Sequence, residues 1–433
     1  MKPRNLIVAS IVLAALAGGV FWARKHPNTG TDTAATPPVI KLADIPEAQA
    51  QQVDLTKKGS PTVTLQRQNG NWAITAPEPY RADQSAVTAV LAALSPLNAD
   101  SVVEDTPADV TKYGLDTPTV TAFIHEKGGK TDRISIGNDV PAGSLVYARI
   151  GSSPKVYALA DTVKTALDRG VNDLRDKRLL TFDTNKLTRV EIGSSKGDVE
   201  FGKNGSGDWQ MIKPRPYRAD NFQVEELIRK LGDAKMDLSE PPVTGFAAMQ
   251  PAGGVKLTDA SGTQTLEVRK SKDDYYARSS VVKGDYKIAS DLGQAVNKSV
   301  DDFRNKKIFD FGFSDPNKID VQLPGSGNKT YALSGTDWKL NGQNMDAGSV
   351  QSFIDKLRDL TAAKFVTSGF TTPAATITVV SKRTEKVEFA KTADGYIARR
   401  ENEPTLYQLD TKSVEDMLNA GKSIKPAAAS TKK

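Results

Sequence analysis

A pattern written three times constrains this chain more than any other feature. The first copy runs from Val63 to Leu94: a strand-like run at Val63 and Leu65, the turn Asn69-Gly70-Asn71, then Trp72-Ala73-Ile74. The turn Pro77-Glu78-Pro79-Tyr80-Arg81-Ala82 delivers Asp83. The second copy has Val199 and Phe201, Asp208-Trp209-Gln210-Met211, and Pro214-Arg215-Pro216-Tyr217-Arg218-Ala219-Asp220. The third has Tyr331 and Leu333, Asp337-Trp338-Lys339-Leu340, and Asn344-Met345-Asp346. Large apolar residues follow each Asp four, seven, eight and eleven positions on: Val87, Val90, Leu91, Leu94; Val224, Leu227, Ile228, Leu231; Val350, Phe353, Ile354, Leu357. That spacing is one face of an α-helix, and the spacing predicts Asp83, Asp220 and Asp346 as its N-caps. The repetition predicts an internal triplication.

Each copy opens on a strand pattern ending in a turn: Val53-Asp54-Leu55, Val190-Glu191-Ile192, and Ile319 to Leu323. Its second half is again strand-rich, as at Thr119 to Ile124, Arg133 to Ile136, Leu145 to Ile150 and Val156 to Leu159. A second helix is expected from Asp161 through Leu167, from Ser290 to Phe303, and from Asp410 through Leu418. The segment Asp173 to Leu180 corresponds to Asp302 to Phe309, and the third copy is expected to end before that point. The fold class predicted is α+β: three tandem repeats of mainly antiparallel strands with two helices each, after an N-terminal transmembrane helix. The length of 433 residues agrees with about three domains. Residues 46–183, 184–312 and 313–425 are the expected repeat modules.

At the N-terminus, residues 1–4 read as a cytoplasmic end. Asn5 to Ala23 is 19 residues without a charge. At about 1.5 Å per residue it covers roughly 28 Å, enough for a bilayer core. Trp22 suits the interfacial aromatic belt. Ala15-Leu16-Ala17 also matches a signal-peptide cleavage site, so anchor and removable signal both stand. Either way the bulk of the chain is expected outside the cytoplasm, in a bacterial periplasm beyond a single-pass inner-membrane helix. Residues 24–45 read as a flexible linker and 426–433 as a disordered tail.

Little chemistry is visible. The chain has no Cys, which removes thiolate nucleophiles, disulfides and Cys-ligated zinc. Only His26 and His125 exist, which leaves a His-based triad or metal site without material. A net charge of +6 with no nucleic-acid motif predicts no nucleic-acid partner. Gly193-Ser194-Ser195-Lys196-Gly197 has the letters of a nucleophile elbow, but strand follows where a helix is required. Ser152-Ser153-Pro154-Lys155 spells S-x-x-K in a turn, and Gly421-Lys422-Ser423 resembles the end of a phosphate loop without its first glycine. No catalytic, cofactor or metal residue is predicted. The recurring polar and aromatic positions are Trp72, Trp209, Trp338, Tyr147, Arg149, Tyr276, Arg278 and Arg399. The arginines could grip an acidic glycan or phosphate, or each pair with a carboxylate of its own repeat and stack on a ring. The tryptophans could form a sugar platform or anchor the core under each helix.

These motifs carry a resemblance. The order Trp…Pro-x-Pro-Tyr-Arg-Ala-Asp, Lys112-Tyr113-Gly114-Leu115-Asp116-Thr117-Pro118, Ile136-Gly137, Val146-Tyr147-Ala148-Arg149 and Arg175-Asp176-Lys177 resembles the bacterial domain of unknown function 4340 family. The second copy keeps Pro251, Tyr276-Ala277-Arg278 and Arg304, and the third Pro373 and Ala398-Arg399. The resemblance implies a membrane-anchored or envelope protein with no established catalytic activity, often encoded beside an ABC-2-type permease, its ATPase and an auxiliary protein of the gliding-motility kind. The function expected is therefore non-enzymatic: an accessory or scaffolding component of an ABC-type transport system, with a permease or its auxiliary protein as partner. A periplasmic binding protein for polysaccharide or another envelope polymer and a hydrolase with an unrecognised site are the alternatives.

Overall fold

The computed structural model describes residues 39–428. The expected N-terminal membrane segment, Trp22 and the end of the tail lie outside them. Among the described residues no helix is long and apolar enough to cross a membrane. The chain divides into two compact units, one ending at Asp176 and the other beginning at Lys177. The expected edge of the first module, residue 183, lies seven residues beyond this division. Leu179 and Leu180, placed with the first module by sequence, are buried in the core that follows.

The fold is α+β and mainly antiparallel, with seven α-helices among the described residues. In the first unit a nine-stranded sheet runs Tyr80–Arg81, Asn71–Ala76, Val63–Gln68, Ala50–Lys57, Val120–Glu126, Thr131–Asp139, Leu145–Ile150, Val156–Ala160, Ser101–Glu104. Two meanders thus stand back to back, joined where Val53 pairs with Ile124 and Leu55 with Ala122. The second unit holds two more sheets of the same order. One has seven strands, centred where Ile192 pairs with Val255; the other has nine, centred where Val321 pairs with Ile377. Alternation sets the faces: Val190 and Ile192 are buried while Glu191 and Gly193 turn the other way.

Helices follow the outer strand of each meander and cover the apolar face. Gln84–Ala92, Asn221–Gly232 and Ala347–Asp359 are the helices predicted from the spacing. Asp83 accepts from the Ser85 and Ala86 amides at 3.0 and 3.2 Å, Asp220 from Gln223 at 3.3 Å and Asp346 from Ser349 at 2.9 Å. All twelve apolar positions of the pattern are buried. Leu94 reaches the core from beyond its helix, which stops ahead of Ser95-Pro96 because the residue before proline disfavours helical backbone.

Three expectations change. The second helix of the middle sheet is not continuous: Ser290–Ala295 is α-helix and Val300–Phe303 a separate 3-10 turn. Ser299 interrupts it, because its amide and hydroxyl both donate to Asp302 at the start of the new turn. Ile40–Ala43, read as linker, is a strand paired with Leu97–Ala99. Lys425 to Ala427, read as the start of a tail or its edge, is paired: Asp346 N donates to Lys425 O and Ala427 N to Asn344 O, both at 2.9 Å.

Candidate interaction site

The Tyr-Arg-Ala-Asp motif is a clasp. Ala82 bridges Arg175, Asp83 N donates to Leu174 O at 2.8 Å, and Asp176 N donates to Arg81 O at 2.8 Å. The Arg175 guanidinium lies 4.0 Å from the Tyr80 ring centroid. The middle sheet repeats this, with Ala219 bridging Arg304 and Asn305 N donating to Arg218 O at 2.9 Å. In the third sheet Met345 bridges Pro426 with the same pattern, so this copy also closes its clasp. Its motif lacks Tyr and Arg, having Gln343 and Asn344 at those positions.

Between the second and third sheets those side chains do a second job. The chain leaves the clasp at Asn305 and enters the next sheet's edge at once: Ala362 N donates to Lys306 O and Ile308 N to Leu360 O. Arg304 is stacked between Tyr217, at 3.9 Å, and Phe365, at 3.6 Å, and donates to the Thr405 hydroxyl at 3.0 Å. Arg218 reaches the Lys307 carbonyl at 2.5 Å, the Tyr407 hydroxyl at 3.1 Å and Glu403 at 3.0 Å. Behind them Arg400 is buried between Glu385, at 2.9 Å, and Glu403, at 2.8 Å, and donates to the Ile308 carbonyl. A buried charge needs such pairing to be tolerated.

The electrostatics of this cluster are those of a structural joint. Burial raises the Glu403 carboxyl, but Arg218 and Arg400, with hydrogen bonds from Tyr407 and Arg400, outweigh it and hold it below the ordinary value. Tyr407 is pushed up to about 12, first by burial, with Glu403 adding to the shift and Arg218 opposing it. A phenol held this firmly neutral is no nucleophile or general base near neutral pH. Glu385, Arg400 and Glu403 were not singled out by sequence; their counterparts differ from copy to copy, so no repeat signal marks them.

The recurring arginines are spent inside their own sheets. Arg278 makes a bidentate pair with Asp285 at 2.7 and 2.8 Å and lies 4.6 Å from the Phe246 ring. Arg399 pairs with Glu388 at 2.9 Å through Nε and lies 4.3 Å from Phe370. Arg149 instead donates to the Ser153 carbonyl at 3.1 Å. There Tyr147 takes the ring contact, edge-on to Tyr113 at 4.8 Å. Tyr276, in the same position of the middle sheet, lies across from Arg269 and Lys287. The Tyr-Gly-Leu motif is the 3-10 turn that brings Tyr113 there, and Gly137 lets it dock: a Cβ on Gly137 would stand 2.1 Å from the Tyr113 carbonyl oxygen. Trp72, Trp209 and Trp338 are 4, 5 and 7 % exposed, core anchors with no face for a sugar.

The other sequence motifs stay structural. Ser195 and Lys196 form the hairpin turn between Arg189–Ser194 and Gly197–Lys203. Ser152 to Lys155 is the turn ahead of Val156–Ala160, and Ser423 ends the helix Thr411–Lys422. His125 lies on a strand, 3.0 Å from both Asp54 and Thr131. Among the described residues no group of three or more His, Cys, Asp or Glu is placed to hold a metal ion.

A family model described as a domain of unknown function (DUF4340) matches the chain in two consecutive segments, 72–208 and 209–376. Each matched segment begins at a core tryptophan and runs through the clasp into the opening strands of the next sheet. No curated protein matches the chain.

Proposed function

The chain belongs to this family of domains of unknown function, and from that premise we propose that it works by docking, as a non-enzymatic envelope protein that scaffolds a membrane transporter. The observation that carries the reading is the use made of the recurring polar residues. Tyr217, Arg218, Arg278, Arg304 and Arg399 are consumed in clasps, joints and ion pairs within the fold. What repeats at the surface is a broad sheet face, with Asp54, Glu191 and Asp320 at matching positions on the side away from the helices. Such a face suits extended contact with another protein better than chemistry on a small molecule.

In this reading the three sheets are copies of one module; the two family matches begin in the first and second of them and each runs on into the next. Asn5 to Ala23 tethers them to the inner membrane with the sheets in the periplasm. Tethering raises their local concentration at a membrane partner, so modest contacts suffice. The partner class is an ABC-2-type permease or its auxiliary protein. Crosslinking in intact membranes, followed by purification of the chain, should recover the neighbouring permease. Recovery of no transporter component, or a purified soluble fragment that turns over an envelope substrate, would overturn the reading. The polysaccharide-binding alternative loses its stacking platform, because the three tryptophans are buried.

A further inference from the structure

Gly193 and Gly254 face one another across neighbouring strands of the middle sheet, on the side away from the helices. At the same register the first sheet has Thr56 opposite Thr121, and the third has Gln322 opposite Thr376. The framework therefore accepts side chains here. Neither glycine has a positive φ. A Cβ on Gly254 would meet nothing nearer than the Leu266 carbonyl oxygen at 3.6 Å. On Gly193 it would meet Asp198 Oδ1 at 3.3 Å, the tip of an exposed side chain. Neither backbone conformation nor internal packing calls for glycine, although glycine weakens a strand interior. What remains is the close approach of something from outside.

The missing side chains leave a hollow of about 360 Å³, rimmed by Glu191, Asp198, Glu200, Lys213, Lys256 and Glu267. Most of the rim is paired. Glu267 is held by Arg269 at 2.7 Å and Glu191 by Arg189 at 3.3 Å. The Glu200 side chain, 7 % exposed, is held through Oε1 by Arg189 at 2.8 Å. Its Oε2 lies 2.8 Å from the Lys213 ammonium yet accepts no well-directed hydrogen bond, which leaves a buried acceptor at the hollow's edge. Two rim groups have no ion pair among the described residues: the Asp198 carboxylate, which leans over Gly193, and the Lys256 ammonium. They are separated by two strand spacings of about 4.8 Å and two rises of about 3.3 Å, roughly 12 Å between Cα atoms. Asp198 flanks the glycine floor as the cross-strand partner of Gly193, and Lys256 lies two residues along the strand from Gly254 on the same face.

We propose that this hollow binds a small zwitterion of amino-acid to dipeptide size, its ammonium at Asp198, its carboxylate at Lys256 and its body over Gly193 and Gly254. One free charge of each sign answers both ends of such a ligand, whereas a purely anionic or cationic one leaves an end unmatched. The site lies on the face that the docking reading uses but does not rest on that reading, and it is tested without any partner. Titration calorimetry of the full chain with L-alanyl-L-alanine should give saturable binding. The N-acetyl and C-amide derivatives should each bind about tenfold more weakly or worse, as loss of one charged contact implies. Asp198→Asn should erase the discrimination against the acetylated form, and Lys256→Gln that against the amide. The double variant Gly193→Thr, Gly254→Thr, which installs the pair found in the first sheet, should abolish binding while the thermal unfolding midpoint holds or rises. No saturable binding of the dipeptide or of alanine overturns the proposal. So does equal binding of the blocked derivatives, or unchanged binding by the folded double-threonine variant. If that variant fails to fold, the Asp198 and Lys256 variants decide in its place. Loss of crosslinking to a transporter would count against the docking reading alone.

Discussion

The guanidinium of Arg304 stands 3.6 Å from the centroid of the Phe365 ring, a contact between side chains of two successive sheets. Its other face covers Tyr217 and its far end holds Thr405. A planar cation sandwiched in this way cannot be replaced by a lysine ammonium, which has no face to stack. Each such contact contributes about 0.5–2 kcal/mol. Arg304→Lys should therefore destabilise the second unit by roughly 1–3 kcal/mol in urea unfolding. Loss of under about 0.5 kcal/mol would show that the stack is incidental.

The helix caps give a cleaner set. Asp83→Ala, Asp220→Ala and Asp346→Ala should each cost about 1 kcal/mol, while Asn at each position should retain most of it. The Asp83 variant should act on the first unit and the other two on the second. Limited proteolysis resolves which unit loosens, and a change in the wrong unit would contradict the assignment of the caps.

Much of this architecture could be read directly in the chain. Asp followed by apolar residues at helical spacing predicts helices that exist, because capping and amphipathic burial are local effects. Alternation likewise marks the strands that flank Ile192 and Val321. What stayed hidden depends on residues distant in sequence. The clasp of Ala219 with Arg304 joins positions eighty-five apart (304 less 219), and no periodicity announces it. Tyr-Arg-Ala-Asp therefore stood out as a motif before its purpose was visible. Arg400, Glu385 and Glu403 were invisible for a different reason: a buried ion cluster shows in sequence as three ordinary surface residues. The Gly193–Gly254 pair was missed because glycine in a strand has significance only beside the Thr and Gln of the sister sheets.

Core anchoring by tryptophan has a spectroscopic consequence. Trp72→Ala and Trp209→Ala should each cost about 3–5 kcal/mol, as for a large buried aromatic. In a variant with Trp22 and two of the core tryptophans replaced by Phe, the remaining indole should resist acrylamide quenching. Quenching as efficient as that of a free indole would return the sugar-platform idea to consideration.

The joint should also respond to acid. Glu403 is held below its ordinary carboxyl value in the folded state, so it contributes stability that is present above its unfolded value, near 4.3. That contribution is lost as pH falls through the lower folded value. The stability gap between the native chain and Glu403→Gln should therefore be constant above about pH 5 and shrink as pH is lowered toward 3. A gap that instead widens in acid would reverse the sign of the linkage.

The passage from Arg304 to Ile308 has a mechanical meaning. Arg304 is bridged to one sheet and Lys307 to the next, and the two residues between them are also hydrogen-bonded, Asn305 backward to Arg218 and Lys306 forward to Ala362. The connection therefore contains no slack. Tension applied to the chain on either side cannot be absorbed by a linker uncoiling; it passes straight from the clasp into the Leu360 to Ala362 segment that Lys306 to Ile308 pair with. The second and third sheets would then yield together under load or hold together, as links in a chain do.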